Sequence, residues 1–326
     1  MPFYICQLPD ESLLHLRGKN IPAFLQGQLT CDTRGLDSAN AVPGALCSAK
    51  GRVLSDVLLQ EQGEDHCTLR LRRSVAAAVA QVLSRYAQFS RISVEEEPSV
   101  DRLYGIYGQL PESIALTPDA NGAVQLASIP VAVDEVSTAL NYRVSITRRS
   151  EHTAEVRLHE DVQANFVLGE EAAKQGAQGA WQGELLRAGH YAIDLESLEK
   201  YTPQALNYDL TGLVSFKKGC YTGQEVVARL HYKGKSKKRL GVYLSASGEA
   251  ADNAASIEID DSLHLPETDV TTSPRAGKVL RVGVTSEPGL IIAAEVQADA
   301  ITLPLVTSSG LKLIPLGRET NRSESP

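Results

Sequence analysis

The chain lacks any long apolar run. No uninterrupted hydrophobic stretch approaches the ~20 residues that a helical membrane span requires, because charged side chains break every apolar segment. Its start, Met1-Pro-Phe-Tyr-Ile-Cys-Gln7, has no basic stretch leading into an apolar one, so no secretory signal is expected. Cysteine is sparse and patternless: Cys6, Cys31, Cys47, Cys67 and Cys220 make an odd number with no Cys-x-x-Cys pair. That argues against a disulfide scaffold and against a self-contained zinc or iron–sulfur site, so no metal ligands are expected. Aromatic residues are few, at 5%, with Trp181 as the one tryptophan. The 25 glycines and 15 prolines are an ordinary share, which excludes collagen-like and low-complexity chains. What is present is 326 residues, 43% of them hydrophobic, enough for the cores of about two domains in a soluble cytoplasmic protein with no membrane partner.

Charge is distributed unevenly. The chain is formally −8, yet residues 217–239 carry Lys217, Lys218, Arg229, Lys233, Lys235, Lys237, Lys238 and Arg239 against the single acid Glu225. That segment is +7 and the remainder −15. A cationic stretch on an acidic body favours a polyanionic partner at one place and repels it elsewhere.

Periodicity sets out the elements. Cys67, Leu69 and Leu71 alternate as in a half-buried strand. From Ser74, a natural N-cap, Val75, Val79, Val82, Leu83 and Tyr86 fall on one helical face. Ile92 to Val94 resumes a strand, residues 108–137 read as loops and short strands, and Tyr142, Val144 and Ile146 alternate again. A second helix is expected over Gly179 to Arg187, with Trp181 and Leu185 on one side and Gly189 as its stop. Beyond the basic stretch the texture is all-β: Val242–Leu244, Ile257–Ile259, Val279–Val284, Leu290–Val296 and Leu311–Leu316 suggest a small barrel or sandwich. The expected division is residues 1–235, 236–317 and a frayed tail of 318–326.

The most distinctive segment is Phe216-Lys-Lys-Gly-Cys-Tyr-Thr-Gly-Gln-Glu-Val226. Thr222 and Glu225 have the spacing of a capping box, which predicts a helix running to about His231. Cys220 then lies just ahead of a helix N-terminus beside Lys217 and Lys218, where amides, dipole and cations favour thiolate. Gly219 and Gly223 permit close approach, and the same donors would hold a carboxylate or phosphate. His231 lies at the far end of this helix, roughly 12 Å along it at ~1.5 Å per residue, too far to serve Cys220 as a direct base.

Lys218-Gly-Cys-Tyr-Thr-Gly-Gln-Glu225 resembles the signature of the YgfZ family, relatives of the glycine cleavage T-protein. Asn207, Leu213–Lys217, Val227–Arg229 and the Gly234–Arg239 stretch extend the resemblance, as do Phe24–Asp32 and Ser48–Arg52 near the start. The resemblance implies an α+β, T-protein-like architecture of two intertwined α+β domains and a small C-terminal β-barrel around a central opening. It implies binding of tetrahydrofolate or a derivative, and support of iron–sulfur enzymes, including those that thiomethylate tRNA. It places Cys220 as a reactive thiol with Lys218 beside it. Trp181, Tyr221, Gly223, Gln224 and Asp56 would stand near the folate. The family's second folate-side tryptophan falls at Glu11, a departure from stacking on both faces.

Two other readings remain open. A tetrahydrofolate-dependent aminomethyltransferase would need an acid pair where this chain has Ser55-Asp56. An RNA-binding module would use Arg229, Lys233, Lys235, Lys237, Lys238 and Arg239 on phosphates, although the same cations suit a folate polyglutamate tail.

Overall fold

The computed structural model describes residues 3–37, 39–97, 103–110, 113–118, 124–130, 136–139, 144–158, 173–245, 257–266, 275–284 and 289–317. The chain separates into two compact units. The first holds residues 1–178, 192–202 and 212–228, the second 179–191, 203–211 and 229–326. The division is therefore not a single cut near 235. Asn207 donates from Nδ2 to the Leu240 carbonyl at 2.6 Å and Asp209 pairs with Arg239, so residues 203–211 belong with the C-terminal strands. The expected tail of 318–326 lies outside the described residues.

Unit 1 runs β1 (Phe3–Gln7), β2 (Glu11–Arg17), α1 (Ile21–Gln26), β3 (Ala41–Cys47), β4 (Val53–Gly63), β5 (His66–Arg72), α2 (Arg73–Ala87), β6 (Ser93–Glu96) and β7 (Leu103–Gly108). There follow the hairpin β8 (Ser113–Pro118) and β9 (Val124–Pro130), then β10 (Val136–Ala139), β11 (Val144–Arg148), β12 (Thr153–Leu158) and β13 (Ala173–Gln175). One sheet has the order β3-β4-β5-β2-β6 and the other β10-β11-β12-β7-β1-β13, so the chain passes back and forth between them. β2 and β5 are buried along nearly their whole length, not half-buried, because both faces are covered. Leu13, Leu14, Leu16, Leu69 and Leu71 supply the apolar packing.

Helix α2 shows where local signals give way to distant contacts. Its cap is Arg72 rather than Ser74, with no side-chain capping bond; the Arg73 amide is met by the Asp10 carbonyl at 2.8 Å. Val75, Val79 and Leu83 face inward as expected, joined by Ala76 and Ala87, whereas Tyr86 is exposed.

A buried ionic network links the two sheets of unit 1. Arg70 on β5 reaches Glu11 at 3.3 Å and Glu155 on β12 at 2.8 Å, Arg72 lies 3.4 Å from Glu11, and Arg149 3.7 Å from Glu155. Burial pushes the Glu11 carboxyl above its ordinary range while the two guanidiniums pull it back. Such a network costs desolvation roughly comparable to its attraction, so its effect is to fix how the sheets face each other more than to add stability.

Unit 2 holds α3 (Gln178–Arg187, entered from the last residue of unit 1), the later part of α4 (Gln224–Lys233), and strands β14 (Lys238–Ser245), β15 (Ser262–His264), β16 (Gly277–Val284), β17 (Leu290–Gln297), β18 (Leu305–Thr307) and β19 (Lys312–Pro315). The strands close as a barrel in the order β14-β17-β16-β15-β18-β19, filled by Tyr243, Leu263, Val279, Ile292, Leu305 and Leu313. Ile257–Ile259 is not a strand: the Glu258 amide bonds the Asp261 carboxylate at 2.8 Å and Asp260 has φ 71°, which makes a turn. Helix α3 ends as its sequence predicts. Gly189 has φ 82°, its amide bonds the Leu186 carbonyl at 2.9 Å, and the His190 amide bonds the Leu185 carbonyl at 2.9 Å.

Within α3, Gly183 faces the Val284 carbonyl so closely that a Cβ would collide with backbone. An exposed helical Gly→Ala gains about 1 kcal/mol, but here overpacking against an immovable carbonyl should win. Gly183→Ala is expected to lose about 2 kcal/mol, read as a lower urea midpoint; a raised midpoint would contradict this packing.

Candidate functional site

The signature segment is anchored by Lys218. This residue is 7% exposed, and its Nζ donates to the carbonyls of Gln26, Leu29 and Cys31 at 2.7, 2.5 and 2.7 Å. Three acceptors match the three N–H groups of an ammonium, whereas a neutral amine has two. Burial draws its pKa below the ordinary lysine range, and the acceptors oppose that by satisfying the charged form. Lys218, expected beside the Cys220 thiol, thus has its three donors occupied by backbone, which leaves its charge but no N–H for the sulfur.

Further bonds bind the same two stretches. The Thr222 amide donates to the Gly27 carbonyl at 3.2 Å, and the Ser215 amide to the Thr30 carbonyl at 2.9 Å. Thr30 Oγ1 donates to the Leu213 carbonyl at 2.5 Å and accepts from the Ala45 amide at 2.9 Å. Gly223, with φ 81°, meets Ser48 and Gly51 backbone where a Cβ would clash, and Gly51 itself has φ 67°. Only glycine satisfies both demands there.

The cap of α4 is displaced from the sequence expectation. Gln224 Oε1, not Glu225, reaches back, and it accepts from the Tyr221 amide at 3.2 Å, not from Thr222. The cause is Gly223: its left-handed conformation keeps the helix from starting directly after Thr222 and delays the start to Gln224. Gln224 and Gly223 are therefore partly committed to the turn. Tyr221 is buried, its ring lies 5.1 Å from Lys218 Nζ, and burial raises its phenol well above the ordinary range.

Cys220 sits between these anchors with its side chain exposed, while Cys6, Cys31, Cys47 and Cys67 are all buried. Burial pushes the thiols of Cys6, Cys47 and Cys67 up to about 12 and that of Cys31 to about 11. Asp56 lies on β4, half-buried, with Oδ1 accepting from the Ile193 amide at 2.8 Å. Ser55 beside it is buried and donates to the Asp56 carbonyl at 2.6 Å. Glu11, 1% exposed, is held by Arg70 and Arg72. Trp181 belongs to unit 2 and is 0% exposed.

The cationic set is smaller than its sequence suggests. Arg239 makes a two-pronged pair with Asp209 at 2.9 Å on each arm, and Lys238 bonds Glu295 at 3.1 Å. Both of these cations, expected as polyanion ligands, thus already have an acidic partner, Arg239 on a well-buried carboxylate and Lys238 in an exposed pair. Arg229, Lys233, Lys235 and Lys237 are exposed and have no acidic partner among the described residues. The backbone acceptors Gln26, Leu29 and Cys31 escaped the sequence reading; the one signal for them was that Phe24–Asp32 stood among the resembling segments without an assigned task.

Comparison with known proteins decides the family. No protein-family model matches the chain. The tRNA-modifying protein YgfZ of Photorhabdus laumondii is 33% identical over 253 residues, covering 74% of this chain and 70% of that protein. Its counterpart in Yersinia enterocolitica is 31% identical over 254 residues, covering 77% and 73%. The chain belongs to the YgfZ family. Among solved structures, glycine cleavage system aminomethyltransferase T from Bartonella henselae superposes with a TM-score of 0.70 over 98% of this chain and 86% of that one. At 16% identity that likeness establishes the fold: α+β, T-protein-like, with a closed C-terminal barrel.

For this YgfZ-family chain the distribution of sulfur has a direct readout. In the native state at pH 8, iodoacetamide should label one thiol, and Cys220→Ser should abolish that labelling. Raising the pH to 9 should recruit no second site, since the other four thiols stay protonated until about 11 or above. Mass spectrometry showing a second labelled cysteine before unfolding would contradict the burial assignments.

Proposed function

We propose that this chain is a folate-binding accessory protein that supports iron–sulfur enzymes and tRNA modification, with Cys220 as its reactive thiol. The observation that carries the thiol role is the exposed sulfur of Cys220 on a segment anchored by the buried Lys218 and Tyr221. Membership of the family supports the setting, since its relatives bear the name tRNA-modifying protein. The proposed compartment is the cytoplasm.

The residues present fit a folate in part. A pterin presents neighbouring N–H donors that a carboxylate accepts side by side. Asp56 offers such a carboxylate, with Oδ2 making no hydrogen bond among the described residues. Glu11 does not fit a stacking role, because its carboxyl is committed to Arg70 and Arg72. Trp181 is fully covered and belongs to unit 2, so it offers no open stacking face. A bound folate supplies one-carbon chemistry. The chain's own contributions are the Asp56 anchor, the backbone turn at Tyr221–Gln224 and the accessible Cys220 sulfur. The aminomethyltransferase alternative is weaker, since Ser55 stands where a second acid would be needed and is itself buried and hydrogen-bonded.

Calorimetric titration of the full chain with tetrahydrofolate should show saturable binding, and Asp56→Asn should weaken it by about tenfold, the worth of one charged hydrogen bond. Unchanged affinity in Asp56→Asn would remove the anchor. In a deletion strain, Cys220→Ala and Cys220→Ser should fail to restore thiomethylated tRNA; full restoration by both would end the thiol role.

A further inference from the structure

Unit 2 contains a cavity that the folate reading does not use. The last turn of α4, the run from Gly234 into β14, residues of the 203–211 segment and Ala298 line a half-open cavity of about 310 Å³. That is the lower end of the range for small-molecule sites and is suited to a nucleoside. Gln204 and Asp209 form one polar wall, His231, Lys235 and Ser236 another, and Arg239 lines it with a guanidinium pinned by Asp209. A guanidinium fixed in this way is a planar surface on which a base can stack.

Two features outside the cavity match a strand that continues past it. Tyr232 is 68% exposed, an unusual position for a tyrosine ring, and it stands edge-on to His231 with centroids 4.7 Å apart and planes at 83°. Around it Arg229, Lys233, Lys235 and Lys237 are exposed, and no acidic residue occurs between Glu225 and Arg239. With Arg239 neutralised by Asp209 and Lys238 by Glu295, these four cations repel one another until an anion arrives. Aromatic platforms set among cations are the means by which proteins hold single-stranded nucleic acid: rings take the bases and lysines take the phosphates. A polyglutamate tail would satisfy the charge, but it has no ring for Tyr232 and nothing to fill the cavity.

We propose that this cavity and the Tyr232 ring receive an unpaired nucleotide of an RNA strand, with Lys233, Lys235 and Lys237 on the flanking phosphates. The choice of RNA over DNA rests on the tRNA reading above; the recognition of an unpaired base does not. The test is fluorescence anisotropy of a labelled, mixed-sequence, single-stranded oligoribonucleotide against the full chain at several salt concentrations. Log affinity should fall with log salt with a slope of about −0.7 per phosphate neutralised. Lys235→Gln combined with Lys237→Gln should make that slope shallower by about 1.4. Tyr232→Ala should weaken binding roughly 5- to 100-fold with the slope unchanged, and Tyr232→Phe should restore it. Lys19→Gln, at an exposed lysine of unit 1, should change nothing. Binding indifferent to Tyr232→Ala, or displaced as well by polyglutamate of equal charge, would overturn the nucleotide site. Equal affinity for the matching DNA strand would overturn the choice of RNA. Tetrahydrofolate titration of the same variants separates the readings: its failure alone leaves this site standing, and unaltered folate affinity in Tyr232→Ala confines any loss to RNA.

Discussion

One buried ammonium organises the signature segment. Lys218 brings together the Gln26, Leu29 and Cys31 carbonyls, about 190 positions away in sequence. Stripping water from a lysine is expensive unless every N–H finds an acceptor. Here the acceptors include the carbonyl of the last residue of α1, where a helix has backbone oxygens without internal partners. Each side therefore answers a deficit of the other. Once the ammonium is seated, the Thr222–Gly27 and Ser215–Thr30 bonds and the backbone approach of Gly223 to Ser48 are held in register. The outcome is an exposed sulfur on a tethered loop, a combination that a lone lysine–cysteine attraction would not produce.

The two units reach order by different physics. The barrel of unit 2 is apolar inside, built from alternating strands whose inward side chains are Leu, Val and Ile with Tyr243, whose hydroxyl donates to the Ile301 carbonyl at 3.0 Å. Unit 1 instead places Arg70, Arg72 and Arg149 among Glu11 and Glu155 where its two sheets meet. Apolar packing tolerates sliding, whereas a guanidinium fits a carboxylate in few geometries. Glu11 is used here to lock sheets together.

Much of the architecture was legible because its signals are local. The strand at Cys67–Leu71, the helix ended by Gly189 and most barrel strands follow from alternation, helical period and glycine. The failures share a cause, which is a partner distant in sequence. Ser74 lost its capping role because the Asp10 carbonyl meets the helix amide instead. The Thr222 box moved back one residue because Gly223 bends to approach Ser48. Arg239 and Lys238 read as free cations until Asp209 and Glu295 were placed beside them. For the site, the residue types at 218–224 were visible, but the assignment of Lys218 to structure was not, since no spacing within the segment reveals three carbonyls from residues 26–31.

The account depends on Lys218 as the tether of this segment, and amide hydrogen exchange on a folded Lys218→Met variant tests it most directly. Loss of the tether should speed exchange at the Thr222 and Ser215 amides by about tenfold or more, while amides of the barrel strands β14 and β17 keep their protection. Protection at Thr222 and Ser215 equal to that of the parent chain would contradict the account.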